Sequence, residues 1–389
     1  MKKSTLFLIG MIIVAFNLRP ALTGVGPITI FIQNDLGISA GTIGLLAMLP
    51  LLAFGFMSLG APTLGASIGN SRAILYGLIL LLFGIIVRSI GGISLLYFGT
   101  LFIGIGISIG NVLLPSFVKE KFAEKSTMLI GVYSAVLSFG AAIGSGMTAP
   151  IALQNDWRIA LAVSGLFVFI ALLIWVPVAI KDRKASLHSH KKRPIFPFKQ
   201  SIAWYVTIFM GVQSLLFYSL VNWLPSMLED RGVSVATAGV IVMVMQLASL
   251  PAILFIPFLA NRSEQQKGLA LSIASLYFIG LVGLFFLPAS LFFLYISASI
   301  VGLAQGGSIC LALLLVSLRA KTPSQVMVLS GMAQSFGYFI AALGPVAFGI
   351  LRDITHTWVY VIVCLLSFTI ILAITGWKAG QNRFINEEG

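Results

Sequence analysis

The sequence predicts an all-α membrane protein with twelve transmembrane helices that form two six-helix pseudo-repeats. Composition gives the first indication, since 59% of the residues are apolar and only 9% are charged, against about 25% charged residues in soluble domains. Length gives the second, because a span and its loop need roughly 30 residues, so 389 residues hold about twelve spans. A constant offset between similar motifs gives the third.

Apolar runs of spanning length follow one another along the whole chain. The basic N-terminus resembles a signal peptide, but the first run continues to about residue 32 without a small-residue cleavage site, so we interpret it as the first span. The runs cover about residues 5–32, 40–63, 73–90, 94–116, 127–151, 158–180, 202–226, 236–259, 268–287, 290–318, 325–350 and 357–377.

The basic residues predict the orientation of these spans. With both termini inside, nineteen of the 24 Lys and Arg residues fall in cytoplasmic segments, and Arg19 falls within a span. The remaining four, in outer segments, are Arg88, Arg158, Arg231 and Arg352. This bias predicts a multi-pass protein of a prokaryotic plasma membrane with both termini cytoplasmic. We therefore interpret the net charge of +13 as orientation bias, not as nucleic-acid binding.

The longest loop divides the chain into three parts. We predict an N-terminal six-helix bundle over 1–180, a cytoplasmic basic linker over 181–200, and a C-terminal six-helix bundle with a short tail over 201–389. His188 and His190 in the linker are compatible with a metal site, but a solvated basic loop facing anionic lipid is the favoured interpretation. No metal site or cofactor is predicted.

Similar motifs recur in the two halves at nearly one offset. Each match is weak alone, and their shared spacing indicates two parallel repeats. The pairs are Pro27 with Pro225 and Gly104 with Gly302, each 198 positions apart, and 138–140 with 335–337, 197 apart.

Arg19 is the one charge that the sequence places in mid-span. All eleven carboxylates and three histidines fall in predicted loops, so the spans lack the acids and histidines that relay protons in many transporters. An arginine at a helix centre costs roughly 2.5–3.5 kcal/mol on insertion scales. We therefore expect Arg19 to bind an anion in a polar cavity. Alternatively, backbone carbonyls of a helix broken at Pro20 accept the hydrogen bonds of the Arg19 guanidinium. If the cavity is present, the carbonyls freed at the break and Asn17 are expected to face it.

Several stretches resemble the cyanate/2-nitroimidazole transporter branch of the major facilitator superfamily. They are 17–23 (NLRPALT), 110–115 (GNVLLP), 223–225 (WLP), 302–308 (GLAQGGS) and 330–338 (SGMAQSFGY). The resemblance implies the major facilitator fold, with a mid-membrane site between the halves that is lined by spans one, four, seven and ten. For Asn111, Tyr218, Asn222, Gln305 and Ser308, the alternative is a helix–helix hydrogen bond. The candidate substrate-binding residues are Arg19, Asn17, Asn111, Tyr218, Asn222, Gln305, Ser308 and Gln334.

We therefore predict a secondary transporter that moves a small anionic or polar solute, cyanate-like or a small organic anion, by alternating access. The alternative is a proton-driven exporter of nitroimidazole-like or other drug-like heterocycles. An enzyme is not expected, because the spans hold no nucleophile–base pair or metal cluster. We expect the protein to act as a monomer in the lipid bilayer on a small-molecule substrate, without nucleic acid.

Overall fold

The computed structural model describes residues 3–182 and 197–385. These residues contain helices and no strands, and twelve of the helical segments are long and apolar enough to cross a membrane. The predicted all-α membrane fold is thus confirmed. The two linker histidines lie outside the described residues. Spans two to twelve contain the helices Ala40–Ile68, Asn70–Ile90, Ile93–Lys121, Ser126–Gln154, Trp157–Lys181, Ser201–Glu229, Val235–Ala260, Lys267–Phe286, Leu291–Leu318, Pro323–Thr355 and Val359–Ala379.

The first span is irregular. It consists of the helices Lys3–Asn17 and Pro20–Thr23, a 3₁₀ turn over Gly26–Ile28 and the helix Thr29–Leu36. Two prolines, two glycines and an arginine within ten residues prevent one continuous helix, because proline lacks an N–H donor and clashes with the preceding turn.

The chain divides into two compact units, Met1–Ile38 with Leu49–Lys191 and Ser39–Met48 with Lys192–Gly389. The second span therefore begins in the second unit and continues in the first. Its start is held by Asp353, whose carboxylate accepts hydrogen bonds from the backbone N–H groups of Ala40 (2.9 Å) and Gly41 (2.7 Å). A carboxylate at a helix N-terminus satisfies unpaired donors and opposes the helix dipole. The division at 181–200 stays a prediction.

The helices repeat in the register that the motifs indicate. Ile93 and Leu291, which begin the fourth and tenth helices, are 198 positions apart, as are Lys181 and Ala379, which end the sixth and twelfth. The two units therefore contain corresponding helices in the same order.

Glycines at equivalent positions allow close packing in each unit. A Cβ added at Gly104 would lie 2.6 Å from the Cα of Pro50, so the fourth span closely approaches the second. A Cβ at Gly302 would overlap the carbonyl oxygen of Met245, so the tenth closely approaches the eighth. Small residues at such crossings let backbones approach within the membrane.

Cations at equivalent positions join the ends of spans within each unit. Lys121 Nζ lies 2.6 Å from Asp182 Oδ1 at the end of the sixth span. Arg319, 198 positions later, donates from Nε to the carbonyl of Ala379 at the end of the twelfth, at 2.8 Å. Burial lowers the pKa of the Arg319 guanidinium. The repeat thus preserves the position of the cation although its acceptor differs.

Candidate functional site

Arg19 lies at the break in the first span. It is the N-cap of the short helix Pro20–Thr23, with φ −127° and ψ −43°, and its side chain is half-buried. Its carbonyl accepts hydrogen bonds from the N–H groups of Leu22 (3.0 Å) and Thr23 (3.1 Å), which start the new helix. The guanidinium therefore projects from a helix junction in mid-span, a usual place for an ion-binding group in transporters.

Carbonyls beyond the break are bonded within the first unit. Arg88 donates from Nη1 to the carbonyl of Ala21 at 2.8 Å, and the hydroxyl of Ser145 donates to the carbonyl of Thr23 at 3.3 Å. The expectation that freed carbonyls face a cavity is wrong for these two groups, because side chains of the third and fifth spans reach them.

The sequence prediction for Arg88 is also wrong. It was expected in an outer segment, but it lies in the last turn of the third span with 1% of its surface exposed. Besides Arg19, the first unit therefore contains a fully buried arginine in a span, Arg88, and it binds a carbonyl of the broken helix. The apolar run at about 73–90 includes this residue, but its place three residues before Gly91, where the helix ends, made it look like part of the outer segment.

The candidates of the first unit lie on two touching spans. Gly110 packs on Leu18, since a Cβ there would lie 2.5 Å from Leu18 Cδ2. This contact brings the stretch that contains Asn17 and Arg19 next to the stretch that contains Asn111. Asn17 is 2% exposed and donates from Nδ2 to the carbonyl of Ile13 at 2.9 Å, while its Oδ1 has no hydrogen-bond partner among the described residues.

Asn111 is hydrogen-bonded to a neighbouring span. Its Oδ1 accepts a hydrogen bond from the hydroxyl of Tyr133 in the fifth span at 3.2 Å. This contact is a helix–helix hydrogen bond, the alternative considered for this residue, and it leaves the Nδ2 donors of Asn111 for a ligand.

Two amides of the second unit are buried with unused polar atoms. Asn222 is 5% exposed and Gln305 is 2% exposed. The Nδ2 of Asn222 and the Oε1 of Gln305 have no partner among the described residues. Within the described ranges, the one hydrogen-bond partner of the Gln305 Nε2 is the sulfur of Met245, at 3.7 Å. A buried polar atom without a partner costs about 1–3 kcal/mol, so these atoms are suited to bind a ligand.

The other candidates of the second unit have partners nearby. Tyr218 is half-buried and packs edge-to-face on Phe217, with ring centroids 4.9 Å apart. Gln334 donates from Nε2 to the hydroxyl of Ser330 at 2.9 Å. Ser308 is fully buried, and its hydroxyl donates to the carbonyl of Gln305 at 3.0 Å, within its own helix.

Gln246 in the eighth span is a polar group that the candidate list omitted. It is 2% exposed, and its Nε2 has no partner among the described residues. It follows Met245, whose sulfur approaches Gln305. The available signal was an isolated glutamine in an otherwise apolar span. Among the described residues, no group of three His, Cys, Asp or Glu side chains could hold a metal ion.

Comparisons with known proteins assign this architecture to a family. Residues 7–345 match the sequence model of the Major Facilitator Superfamily. Among solved structures, the nucleoside transporter NupG superposes with a TM-score of 0.77 at 12% identity, covering 96% of this chain and 100% of that chain, which supports the fold.

Three bacterial relatives match nearly the whole chain. The chain is 45% identical to the uncharacterized transporter YycB of Bacillus subtilis, over 97% of this chain and 94% of the relative. It is 34% identical to the 2-nitroimidazole transporter of Escherichia coli, over 99% and 98%. It is 28% identical to the cyanate transport protein CynX of Escherichia coli, over 94% and 95%. The chain therefore belongs to the major facilitator superfamily, in the branch of the 2-nitroimidazole and cyanate transporters, and is a multi-pass membrane transporter of small solutes, not an enzyme.

Proposed function

We propose that the protein is a secondary transporter that moves a small anionic or polar solute by alternating access, with Arg19 as the anion-binding residue. The observation that carries the proposal is the position of Arg19, a half-buried cation at a helix break in mid-span. A charged group within the membrane is costly and marks a solute pathway by default. Cyanate, or an organic anion of similar size, is the expected class of solute.

The chemistry of arginine fits such a solute. A guanidinium is planar, always charged and presents a fork of N–H donors to small anions and oxygen acceptors. The same fork binds the oxygens of a nitro group, which accept hydrogen bonds without a full charge. One residue therefore accommodates both substrates that the relatives' names give.

Neutral amides are proposed to complete the binding groups. The unused Nδ2 of Asn222 is a donor for an anion, and Gln305 supplies an amide without adding charge. One fixed charge with neutral amides attracts an anion and still allows its release. Asn17, Asn111, Tyr218 and Gln334 are proposed as further contacts. Ser308 is the least supported candidate, because its hydroxyl is bonded within its own helix.

A proton-driven exporter of nitroimidazole-like or other drug-like heterocycles is the second candidate. The observation that favours it is the identity to the 2-nitroimidazole transporter, 34% against 28% for the cyanate transport protein. A heterocycle with a ring N–H and a nitro group needs both an acceptor and donors; among the proposed contacts, the unused Oε1 of Gln305 is an acceptor and the guanidinium of Arg19 is a donor.

The proposed setting is a monomer in a prokaryotic plasma membrane with both termini cytoplasmic. Its support is the excess of Lys and Arg in the segments that this orientation puts inside.

Counterflow in proteoliposomes tests the proposal. Proteoliposomes that contain the purified protein are loaded with unlabelled cyanate or 2-nitroimidazole, and entry of the labelled compound is followed. We expect Arg19→Gln to abolish exchange of cyanate. The matched control is Arg158→Gln, which removes an arginine of the same unit that pairs with Asp35 at 2.9 Å, and it should exchange normally. Exchange of 2-nitroimidazole without exchange of cyanate, together with net transport of 2-nitroimidazole driven by a pH gradient, supports the exporter. Exchange of cyanate by the Arg19→Gln variant contradicts the role of Arg19.

A further inference from the structure

Residues 381–385 follow the twelfth span and lie against one end of the second unit, where the eighth, tenth and twelfth spans end and the ninth and eleventh begin. The chain leaves the twelfth span at Gly380, whose carbonyl accepts a hydrogen bond from the backbone N–H of Gln266 at 2.9 Å. A Cβ at Gly380 would lie 2.7 Å from the backbone nitrogen of Lys267. Glycine therefore lets the chain pass directly beside the start of the ninth span. We call residues 381–385 the tail strap.

Ile385 anchors the tail strap to the loop between the tenth and eleventh spans. Its side chain is 2% exposed, whereas the three residues before it are exposed. Its N–H donates to the carbonyl of Arg319 at 2.9 Å, and its carbonyl accepts a hydrogen bond from Nε2 of Gln325 at 3.2 Å. One buried apolar residue thus joins the end of the tenth span to the start of the eleventh.

The hydrogen bond to Gln325 supports the cap of the eleventh span. Gln325 is the third residue of the helix Pro323–Thr355, and its Oε1 accepts hydrogen bonds from the backbone N–H groups of Lys321 (2.7 Å) and Thr322 (3.2 Å). The hydroxyl of Thr322 accepts from the N–H of Gln325 in return, which completes a capping box. Because the same amide donates to Ile385, the tail strap fixes the orientation in which Gln325 closes this box.

Two contacts hold the exposed part of the tail strap. The Nδ2 of Asn382 donates to Oε2 of Glu264, in the loop between the eighth and ninth spans, at 3.1 Å. The ammonium of Lys321 lies 5.3 Å from the ring centroid of Phe384. Exposed polar and cation–π contacts of this kind contribute little to stability. The burial of Ile385 therefore decides whether the tail strap is docked.

We propose that the tail strap is a latch on the start of the eleventh span, which opens together with residues 319–326 while the spans stay folded. Chain segments with few buried contacts open locally at a lower free energy than the core of a protein. Undocking of Ile385 frees the side chain of Gln325, so the capping box loosens and the loop between the tenth and eleventh spans gains freedom. The latch belongs to the second unit alone, and it depends neither on the solute nor on Arg19.

Hydrogen exchange of backbone amides in the purified full chain, followed by mass spectrometry, tests the proposal. In the wild type, we expect residues 319–326 and 381–385 to show similar protection, lower than that of the helix interiors of the same unit. Ile385→Asp puts a carboxylate in the apolar anchor site, and exchange in both segments should rise at least about tenfold while the helix interiors keep their protection. The control Arg383→Asp places the same side chain at an exposed position of the tail strap and should exchange like the wild type.

Unchanged exchange of residues 319–326 in Ile385→Asp would overturn the proposal, because the tail strap would then not hold the eleventh span. An equal rise in Arg383→Asp would also overturn it, since any added charge would have the same effect. A comparable rise in the helix interiors would show that Ile385 is part of the folded core and not a latch. If Ile385→Asp does not fold, Ile385→Ala decides: it shortens the anchor without adding a charge and should give the same pattern with a smaller rise.

Discussion

Replacement of Gly302 by alanine tests the packing on which the second unit depends. The added Cβ would overlap the carbonyl oxygen of Met245 and lie 2.9 Å from the Cβ of Ala248. Both are fixed parts of a neighbouring helix, so the eighth and tenth spans must separate. Overpacking of a close-packed interior costs about 1–3 kcal/mol. Since Gln305 is one turn further along the tenth span, its contact with Met245 should loosen as well.

The matched control is Gly60→Ala. Gly60 is exposed in the interior of the second helix, and a Cβ there meets nothing within 4 Å. Alanine favours a helix over glycine by about 1 kcal/mol, so this variant should melt at or above the wild-type temperature. Melting temperatures of both purified variants provide the comparison. A Gly302→Ala protein as stable as Gly60→Ala would refute the close crossing.

Three further predictions concern solute binding, coupling and orientation. Asn222→Ala and Gln305→Ala should each weaken anion binding by about 1–3 kcal/mol in equilibrium titrations without lowering the melting temperature, because each removes a buried polar atom that has no partner in the described part of the chain. Wild-type affinity in both would show that the amides only pack between helices. Exchange of each carboxylate for its amide should leave the pH dependence of uptake intact, since no acid lies in mid-span, and a variant that loses this dependence would identify a coupling residue. Cysteines placed in 181–200, with Cys310 and Cys364 replaced, should react with impermeant reagents only from the cytoplasmic side; labelling from outside intact cells would contradict the orientation.

The sequence was sufficient for the architecture because apolar length and the repeat are one-dimensional signals. Pro20 predicted the break in the first span, and the helix indeed ends at Asn17. The spacing of Gly104 and Gly302 predicted the repeat, and both glycines allow the equivalent helix crossing.

Side-chain environment could not be predicted in the same way. Arg88 is close to two glycines and looks like a loop residue, yet its burial depends on the carbonyl of Ala21, which lies 67 positions earlier. Ser308 and Gln305 are both polar residues of the tenth span, but only the helix geometry shows that the serine bonds its own backbone and that the glutamine has an unused oxygen. Which face of a span is polar inside a folded unit depends on the neighbouring spans.

The central claim, that Arg19 binds the anion, is tested most directly by equilibrium binding of cyanate, or of the best anion from a thermal-shift screen, to Arg19→Gln, Arg19→Lys and wild type. The account predicts that Arg19→Gln folds with a near-wild-type melting temperature and loses anion binding. Arg19→Lys should bind weakly with altered selectivity, because it keeps the charge and loses the planar fork of donors. Normal anion binding by a folded Arg19→Gln protein would contradict the claim, and its unfolding would show instead that Arg19 is a structural clamp on the broken first span.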